Sequence, residues 1–517
     1  MFRVPDAADV KVKARSLGVE LTDAEAALYQ RYLAEKLPVM DAFIQDPDGV
    51  VAGPRFPGAR EFGYRPGSGE DPLRAWLWKT EIEGASSGPL AGKRVSLKDH
   101  IAVAGVPESF GAFAFDGFVP DYDATVVSRS LEAGASIVGK HVMDGLAGGF
   151  AFGGGIGDYG RVLNPHKAEH LSGGSSSGSA AALVLGEVDI SFGGDQGGSI
   201  RIPASWSGCV GLKPTFGLVS HFGIGFGSDQ SIDYTGPMTM TVEDAALALD
   251  VTAGRDGLDP RQTADVPESY HSMATLNDGV KGLRIGILEE GFANAAPDVV
   301  DSVMAAVELL VSLGATTSKV SVPQHLAVGT PFWALMAEGG LAIREVGYMG
   351  AWARTWYPES TIEAVMRETL TGGERLNPNA VGRNLLALYN RQFYSGRVYA
   401  RAQNVRSKFI TAYEKAFADV DVLVMPTTAI QAPVFEPIPN LLDALEFALN
   451  RTNAAIQNTM PFNYTGHPAL SVPVEKRNGL PVGLQIVAPF FKDDLTLRVA
   501  QAYASSVPFA DFVKVGA

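Results

Sequence analysis

The order of apolar and polar residues sets out the skeleton of this chain. From residue 7 to 46 apolar positions recur at helical spacing through Ala24, Leu28, Tyr32, Leu33 and Leu37, so the stretch reads as helices. Thr22, followed three residues later by Glu25, predicts an N-cap with a capping box. A run rich in proline and glycine, Asp46 to Gly69, then reads as a linker. Beyond Asp71 short apolar runs alternate with amphipathic ones. Strands are predicted at Arg94–Leu97, Ala135–Gly139, Val188–Phe192, Leu283–Leu288 and Val422–Met425. Helices are predicted at Asp123–Ala133 with Asp123 as cap, at Ser177–Leu185, at Val242–Ala253 with Gly254 as stop, and at Pro297–Leu313. This alternation predicts an α/β body with helices covering a largely buried sheet. The expected division is a helical extension with its linker, residues 1–70, and a single body, residues 71–517. No repeat of a solenoid period appears.

Composition narrows the function. The 517 residues hold 42 Lys+Arg and 57 Asp+Glu, a net charge of −15. An acidic chain lacks the electrostatic footprint of a nucleic-acid binder. No apolar run approaches the roughly 18 residues of a membrane helix, and Met1–Val12 has no apolar core of a signal peptide. The expectation is a cytoplasmic protein that binds neither nucleic acid nor membrane. One cysteine, Cys209, excludes an internal disulfide and a cysteine-based zinc site, and reads as a small buried apolar residue. Glycine is the outlier, at 58 residues, well above the roughly 7% of average proteins. It concentrates between Gly145 and Gly227, where 22 of 83 residues are glycine. The strands and helix predicted inside that window argue against a linker and for a site built largely from backbone.

Three familiar strings fail on context. His166-Lys167-Ala168-Glu169-His170 matches a zinc-peptidase pattern but lies in a loop, where two solvated histidines are the expectation. Gly155 to Gly160 matches G-x-G-x-x-G, yet Arg161 to Pro165 cannot open a helix, so a turn is expected. Gly174 to Gly178 contains G-x-S-x-G around Ser176 without the buried strand a nucleophile elbow needs.

Three other segments carry chemistry. Lys98 ends the apolar strand Arg94–Leu97 and precedes Asp99 and His100. Such a lysine can pair with an aspartate or, if desolvated, become a neutral general base. The block Gly173-Gly174-Ser175-Ser176-Ser177-Gly178-Ser179 opens directly into a small-residue helix, which gathers hydroxyls and free amides at a helix N-terminus. The third, Gly193-Gly194-Asp195-Gln196-Gly197-Gly198-Ser199-Ile200-Arg201, follows the strand Val188–Phe192. Glycines before Ser199 leave amides unobstructed, as an oxyanion hole requires. Asp195 and Arg201 flank this turn and read as an ion pair that holds it.

These blocks resemble the amidase signature family. Val210 to Gly217, Asp421 to Thr427 and Pro461 to Pro473 match as well, so the resemblance runs over roughly residues 85 to 505. Within the family the chain is most similar to bacterial stand-alone amidases with a helical N-terminal extension, such as enantioselective amidases of nitrile-degrading bacteria. The resemblance implies a twisted mixed β-sheet of many strands with helices on both faces. It implies a triad of Ser199 as nucleophile, Ser175 as bridge behind a cis peptide bond from Gly174, and Lys98 as base. The amides of Gln196, Gly197, Gly198 and Ser199 would hold the oxyanion. Ser176, Asp195, Arg201 and Gly174 would support the site, and no metal or cofactor enters.

The implied reaction is hydrolysis of small, rather apolar carboxamides, with anilides and carbamates as further candidates, through an acyl-enzyme. A homodimer involving the helical extension is also implied. Gly148, Gly149, Gly153, Gly154 and Gly155 are candidates for the pocket wall. So is the region 320–420 with Phe332, Trp333, Trp352, Trp356, Tyr357 and Tyr389, for which core packing is the competing reading. His100 can touch the site or be a satisfied structural histidine; His467 reads as structural. Two alternatives remain: the glutamine-hydrolysing component of a tRNA-dependent amidotransferase, and a non-catalytic scaffold.

Overall fold

The computed structural model describes residues 3–46, 53–148, 154–225, 228–351, 353–371, 376–437, 440, 442, 443, 446 and 455–509. The chain divides into two compact units, residues 1–52 and 53–517. The first holds helices α1 (Ala7–Ser16) and α2 (Asp23–Ile44). Both start in capping boxes: Asp6 with Asp9, and Thr22 with Glu25 as the sequence predicts.

The second unit is built on one 11-stranded mixed sheet, as the resemblance implies. Its strands are β1 (Trp76–Ile82), β2 (Arg94–Lys98), β3 (Ser136–His141), β6 (Ile190–Asp195), β7 (Val210–Lys213), β8 (Tyr234–Thr239), β9 (Arg284–Leu288), β10 (Thr316–Val320), β11 (Val422–Pro426), β12 (Ala469–Arg477) and β13 (Leu480–Val487). They lie in the order β1-β3-β2-β6-β8-β7-β12-β13-β11-β9-β10. Strands β3, β2 and β6 run parallel side by side, so their carboxyl ends emerge together. Open α/β sheets place ligands at such ends. The short pair β4 (Ile156–Gly157) and β5 (Gly160–Arg161) forms a separate hairpin, which is what the G-x-G-x-x-G string builds.

Helices cover both faces. On one lie α3 (Thr125–Glu132), α6 (Val242–Thr252), α7 (Pro297–Ser312) and the helix Asp493–Ala504, packed on Leu97, Phe192, Leu470 and Ile486. On the other lie α4 (Ser177–Val184) and α5 (Arg201–Ser207), whose Ala180 to Leu183 and Ala204 are fully buried. Alanine lets α4 approach the strands closely.

Two local readings change. The helix at α3 starts two residues later than expected, and Asp123 does not cap it. Its carboxylate takes a two-pronged ion pair from Arg60 and the amide of Ala104 instead. Residues Arg60 and Tyr64, which read from sequence as linker, are thereby tied to the body, and Tyr64 bridges to Lys79 of β1. The helical stretch Gln324–Glu345 is long and apolar enough to cross a membrane, although sequence reading marks no such run. Half of its most apolar window is buried, and it packs against the helices Pro378–Tyr394 and Arg397–Phe417.

Leu97 is fully buried and Leu313 is 37% exposed. We expect Leu97→Ala to lower unfolding stability by about 2–5 kcal/mol and Leu313→Ala by less than about 1 kcal/mol, read from urea denaturation midpoints. Equal losses would mean that the sheet core does not carry the stability assigned to it.

Candidate active site

The parallel strands deliver the site. Lys98 is the last residue of β2, and β6 runs straight into the turn Gln196–Ser199. The serine block sits at the N-terminus of α4, across from both. Lys98 Nζ lies 2.7 Å from Ser175 Oγ and donates to the carbonyl of Gly194 at 3.1 Å. The Gly174–Ser175 peptide is cis. The two loops are stitched together by Ser176. Its amide donates to the Ser199 carbonyl at 3.1 Å, and its hydroxyl lies 3.3 Å from both the amide and the carbonyl of Gly194.

Burial grades along this line. Lys98, Ser175 and Ser176 are fully buried, whereas Ser199 retains 4% exposure. The Ser199 hydroxyl has no hydrogen-bond partner among the described residues. The same holds for the amides of Gln196, Gly197 and Ser199. The Gly198 amide differs: it donates to Asp195 Oδ1 at 2.7 Å. Of the four amides expected to meet an oxyanion, that of Gly198 is thus engaged by the Asp195 carboxylate, which turns back on its own loop.

Asp195 is the hub of that loop. Arg201 grips it with two bonds, Nε to Oδ2 at 3.0 Å and Nη2 to Oδ1 at 2.9 Å, with both side chains fully buried. Asp195 also accepts from the amide of Ile200 and from Asn463 Nδ2. Arg201 completes its donors on Gln485 Oε1 and Asn463 Oδ1. Burial alone would raise the Asp195 pKa, but Arg201, with Asn463 and Lys213, outweighs it and holds the carboxyl down at about 2. Sequence reasoning singles out neither Asn463 nor Gln485. Asn463 lies within a matching block, and nothing local marks Gln485.

Lys98 is moved toward its neutral form instead. Burial lowers its pKa to about 8, against the raising effect of Asp144, Asp233 and Asp195. A lysine in that range is partly neutral near physiological pH. His100 is not a satisfied structural histidine. It is fully buried, and neither ring nitrogen has a partner among the described residues. A Cβ on Gly194 would collide with its Nε2, and burial keeps the ring neutral.

The other candidates disperse. Gly155 faces inward, where its amide donates to Asp144 and a Cβ would run into Ser172. Gly154 is also buried, and the carbonyl of Gly148 is held by Asn379. Gly149, Gly153 and Trp352 lie outside the described residues. Phe332 and Trp333 pack in a core cluster with Ile202, Trp206 and Tyr464, and Trp356 packs on Tyr122 and Phe222. Tyr389 stacks on Phe393, both exposed, on the helix Pro378–Tyr394. A cavity of about 810 Å³ between Phe216, Arg261, Glu338 and Tyr399 is lined by none of Lys98, Ser175 and Ser199. His166 and His170 are not solvated: each is partly buried and hydrogen-bonded to a backbone carbonyl, of Ser207 and Ala432. His467 is buried between Thr465 and Glu414, a structural role. Among the described residues no three metal-ligating side chains converge.

A buried lysine against a serine, beside a glycine turn with open amides, agrees with the sequence profile of the Amidase family, which matches residues 73–497. The chain belongs to this family. An enantioselective amidase of Rhodococcus rhodochrous is 40% identical over 445 residues, 84% of each chain. A glutamyl-tRNA(Gln) amidotransferase chain of Methanosarcina mazei is 34% identical over 439 residues, 83% of this chain and 87% of its own. The crystal structure of native peptide amidase from Stenotrophomonas maltophilia superposes with a TM-score of 0.64 at 26% identity, over 97% of this chain and 96% of that one.

The Asp195–Arg201 pair of this amidase-family protein gives a stability prediction. Arg201→Met strands a buried carboxylate, and we expect a loss of about 3–5 kcal/mol in urea unfolding at neutral pH. The folded pKa of Asp195 lies below its usual value, so its contribution is present above about pH 4. It fades as pH falls toward about 2. The gap between wild type and variant should narrow across that window; a constant gap would remove charge as the cause.

Proposed function

We propose that the protein is an amide hydrolase working through Ser199, Ser175 and Lys98. The observation that carries this reading is the 2.7 Å contact between a buried, partly neutral lysine and Ser175, with Ser199 at the accessible end. In the neutral amine one N–H bonds the Gly194 carbonyl, and the lone pair is free to accept the Ser175 proton. Ser175 takes the proton of Ser199, and Ser199 Oγ attacks the amide carbonyl carbon. The resulting oxyanion is met by the amides of Gln196, Gly197 and Ser199, each such donor being worth roughly 3–4 kcal/mol. Ser175 then protonates the leaving nitrogen, drawing on the proton held by Lys98. The C–N bond breaks, and ammonia or an amine departs. Water, deprotonated along the same line, cleaves the ester on Ser199 and releases the carboxylic acid.

Small, rather apolar carboxamides are the proposed substrates, with anilides and carbamates in the same class. The 40% identity to an enantioselective amidase supports this, and so does a likeness to peptide amidase that spans the helical extension. The glutamine-hydrolysing component of an amidotransferase is the second reading, favoured by the 34% identity to the Methanosarcina mazei chain. Glutamine turnover that requires a co-purified partner protein together with tRNA would put that reading first.

Replacing Ser199, Ser175 or Lys98 by alanine should each lower kcat/KM on a benzamide or anilide by at least about 100-fold. A fluorophosphonate should label Ser199. Labelling at Ser176 instead would overturn the assignment. Activity should rise with pH as Lys98 loses its proton near 8, since the base works only when neutral.

We also propose a homodimer joined through the helical extension. Helix α2 exposes Leu28, Tyr29, Tyr32, Val39, Met40, Phe43 and Ile44, with Phe43 73% and Ile44 72% exposed. An apolar stripe of this length is seldom left in water. Light scattering should give twice the chain mass for wild type and the single mass for Tyr29→Glu/Phe43→Glu. An unchanged mass in the variant would discard α2 as the interface.

A further inference from the structure

The turn that carries Ser199 is held from outside through its peptide carbonyls. The Asp195 carbonyl accepts from Asn463 Nδ2 at 2.7 Å, the Gly197 carbonyl from Thr459 Oγ1 at 2.5 Å, and the Gly198 carbonyl from the Ile202 amide at 2.7 Å. Peptide planes are rigid and trans, so a carbonyl fixed on one side aims the N–H of the same peptide to the other. Asn463 belongs to the helix Met460–Thr465, and Thr459 stands at the head of that helix.

The Gly197–Gly198 peptide is the weakest link of the turn. Glycine stands on both sides of it, and Gly198 has a φ of +134°, in the range that favours glycine, so no side chain opposes its rotation. It is gripped at both ends instead. Its N–H donates to Asp195 Oδ1 at 2.7 Å, and its C=O accepts from Thr459. Thr459 is fully buried, and a hydroxyl has a single proton to give. The Ile456 carbonyl lies 3.2 Å from Oγ1, so the Gly197 carbonyl at 2.5 Å is the nearer acceptor. The threonine also sits directly on Gly198, where a Cβ would collide with its Cβ and Oγ1. Rotation of this peptide would change the spacing between the Gly197 amide on one side and the amide and hydroxyl of Ser199 on the other.

We propose that Thr459 is a positioning residue of the hydrolytic site, whose hydroxyl locks the Gly197–Gly198 peptide so that the Gly197 amide, the Ser199 amide and the Ser199 hydroxyl keep one geometry as the substrate carbonyl becomes an oxyanion. Thr459 acts through the backbone of the turn and exchanges no proton with the substrate. Donors fixed before the reaction stabilise the developing charge without having to reorganise. The oxyanion forms only after substrate has bound, so a loosened turn weakens the transition state more than the bound ground state. The proposal rests on the triad reading, because it takes this turn as the one that carries the nucleophile.

The test compares full-length wild type, Ser199→Ala, Thr459→Val and Thr459→Ser on benzamide. For wild type and the Thr459 variants kcat is normalised to the active sites that a fluorophosphonate titrates, which removes any misfolded fraction. Valine keeps the shape of threonine without its hydroxyl, and serine keeps the hydroxyl. In T459V kcat should fall at least about 10-fold while KM changes by less than about 2-fold. Inhibition by phenylboronic acid, whose adduct on Ser199 places an oxygen where the oxyanion forms, should weaken by about the same factor as kcat/KM. T459S should stay within about 3-fold of wild type in both readouts, because the hydrogen bond to Gly197 is kept. Wild-type kcat in T459V, unchanged inhibition by phenylboronic acid, or an equal loss in T459S overturns the proposal. Should T459V fail to fold, Thr459→Cys, of similar size but with only a weak donor, is read with the same expectations. Full activity in S199A would sink the triad reading and the proposal with it. Activity lost in S199A but kept in T459V overturns the Thr459 assignment alone.

Discussion

The constraint on which the site depends is the burial of Lys98 at the end of β2. A lysine placed there can neither be hydrated nor reach bulk solvent, so desolvation disfavours its charged form. The surrounding structure limits that effect. The Gly194 carbonyl takes one N–H, Ser175 takes the contact at 2.7 Å, and carboxylates face the amine from β6 and from the loops after β3 and before β8. Fully paired, the lysine would be a structural cation. Fully isolated, it would be too weak a base to draw a proton from serine. The parallel run of β3, β2 and β6 matters because it brings Asp144, Lys98 and the Ser199 turn to one edge without any long excursion of the chain.

A second charge pair does the opposite work. Asp195 and Arg201 are close, bidentate and surrounded by amides, so the Asp195 carboxylate stays ionised and is not available to exchange a proton. Their bonds reach the helix Met460–Thr465 through Asn463 and β13 through Gln485. The Gln196–Ser199 turn is thereby fixed by strands and a helix rather than by its own flexible glycines. The Gly198 N–H is committed to Asp195 in the same network.

Where the sequence is readable, the controlling interaction is local. Thr22 and Glu25 cap α2 within one turn of chain, and the glycine–serine blocks are contiguous strings. Asp123 misleads because its partner, Arg60, lies 63 residues away. Several strands escape because their residues argue against strands. β8 contains Gly236 and Pro237, β12 contains Pro473 at a register shift, and β10 is largely exposed with no alternation to detect. Asp144 escapes for the same reason as Asp123. Nothing around it in the chain marks it, and the Gly174 it presses against and the Gly155 amide it accepts from are brought beside it by the fold.

The glycine excess belongs to this same logic of contact rather than to flexibility. Gly193 and Gly194 are strand residues, and each faces a group that needs the space of a side chain: Ser176 Oγ on one face and His100 on the other. Gly174 yields its space to the Asp144 carboxylate. A methyl group at any of these would push apart the loops that hold Lys98 to Ser175, so the missing side chains are a condition of the close approach. Backbone without side chains is what lets a site this dry be built from so many polar atoms.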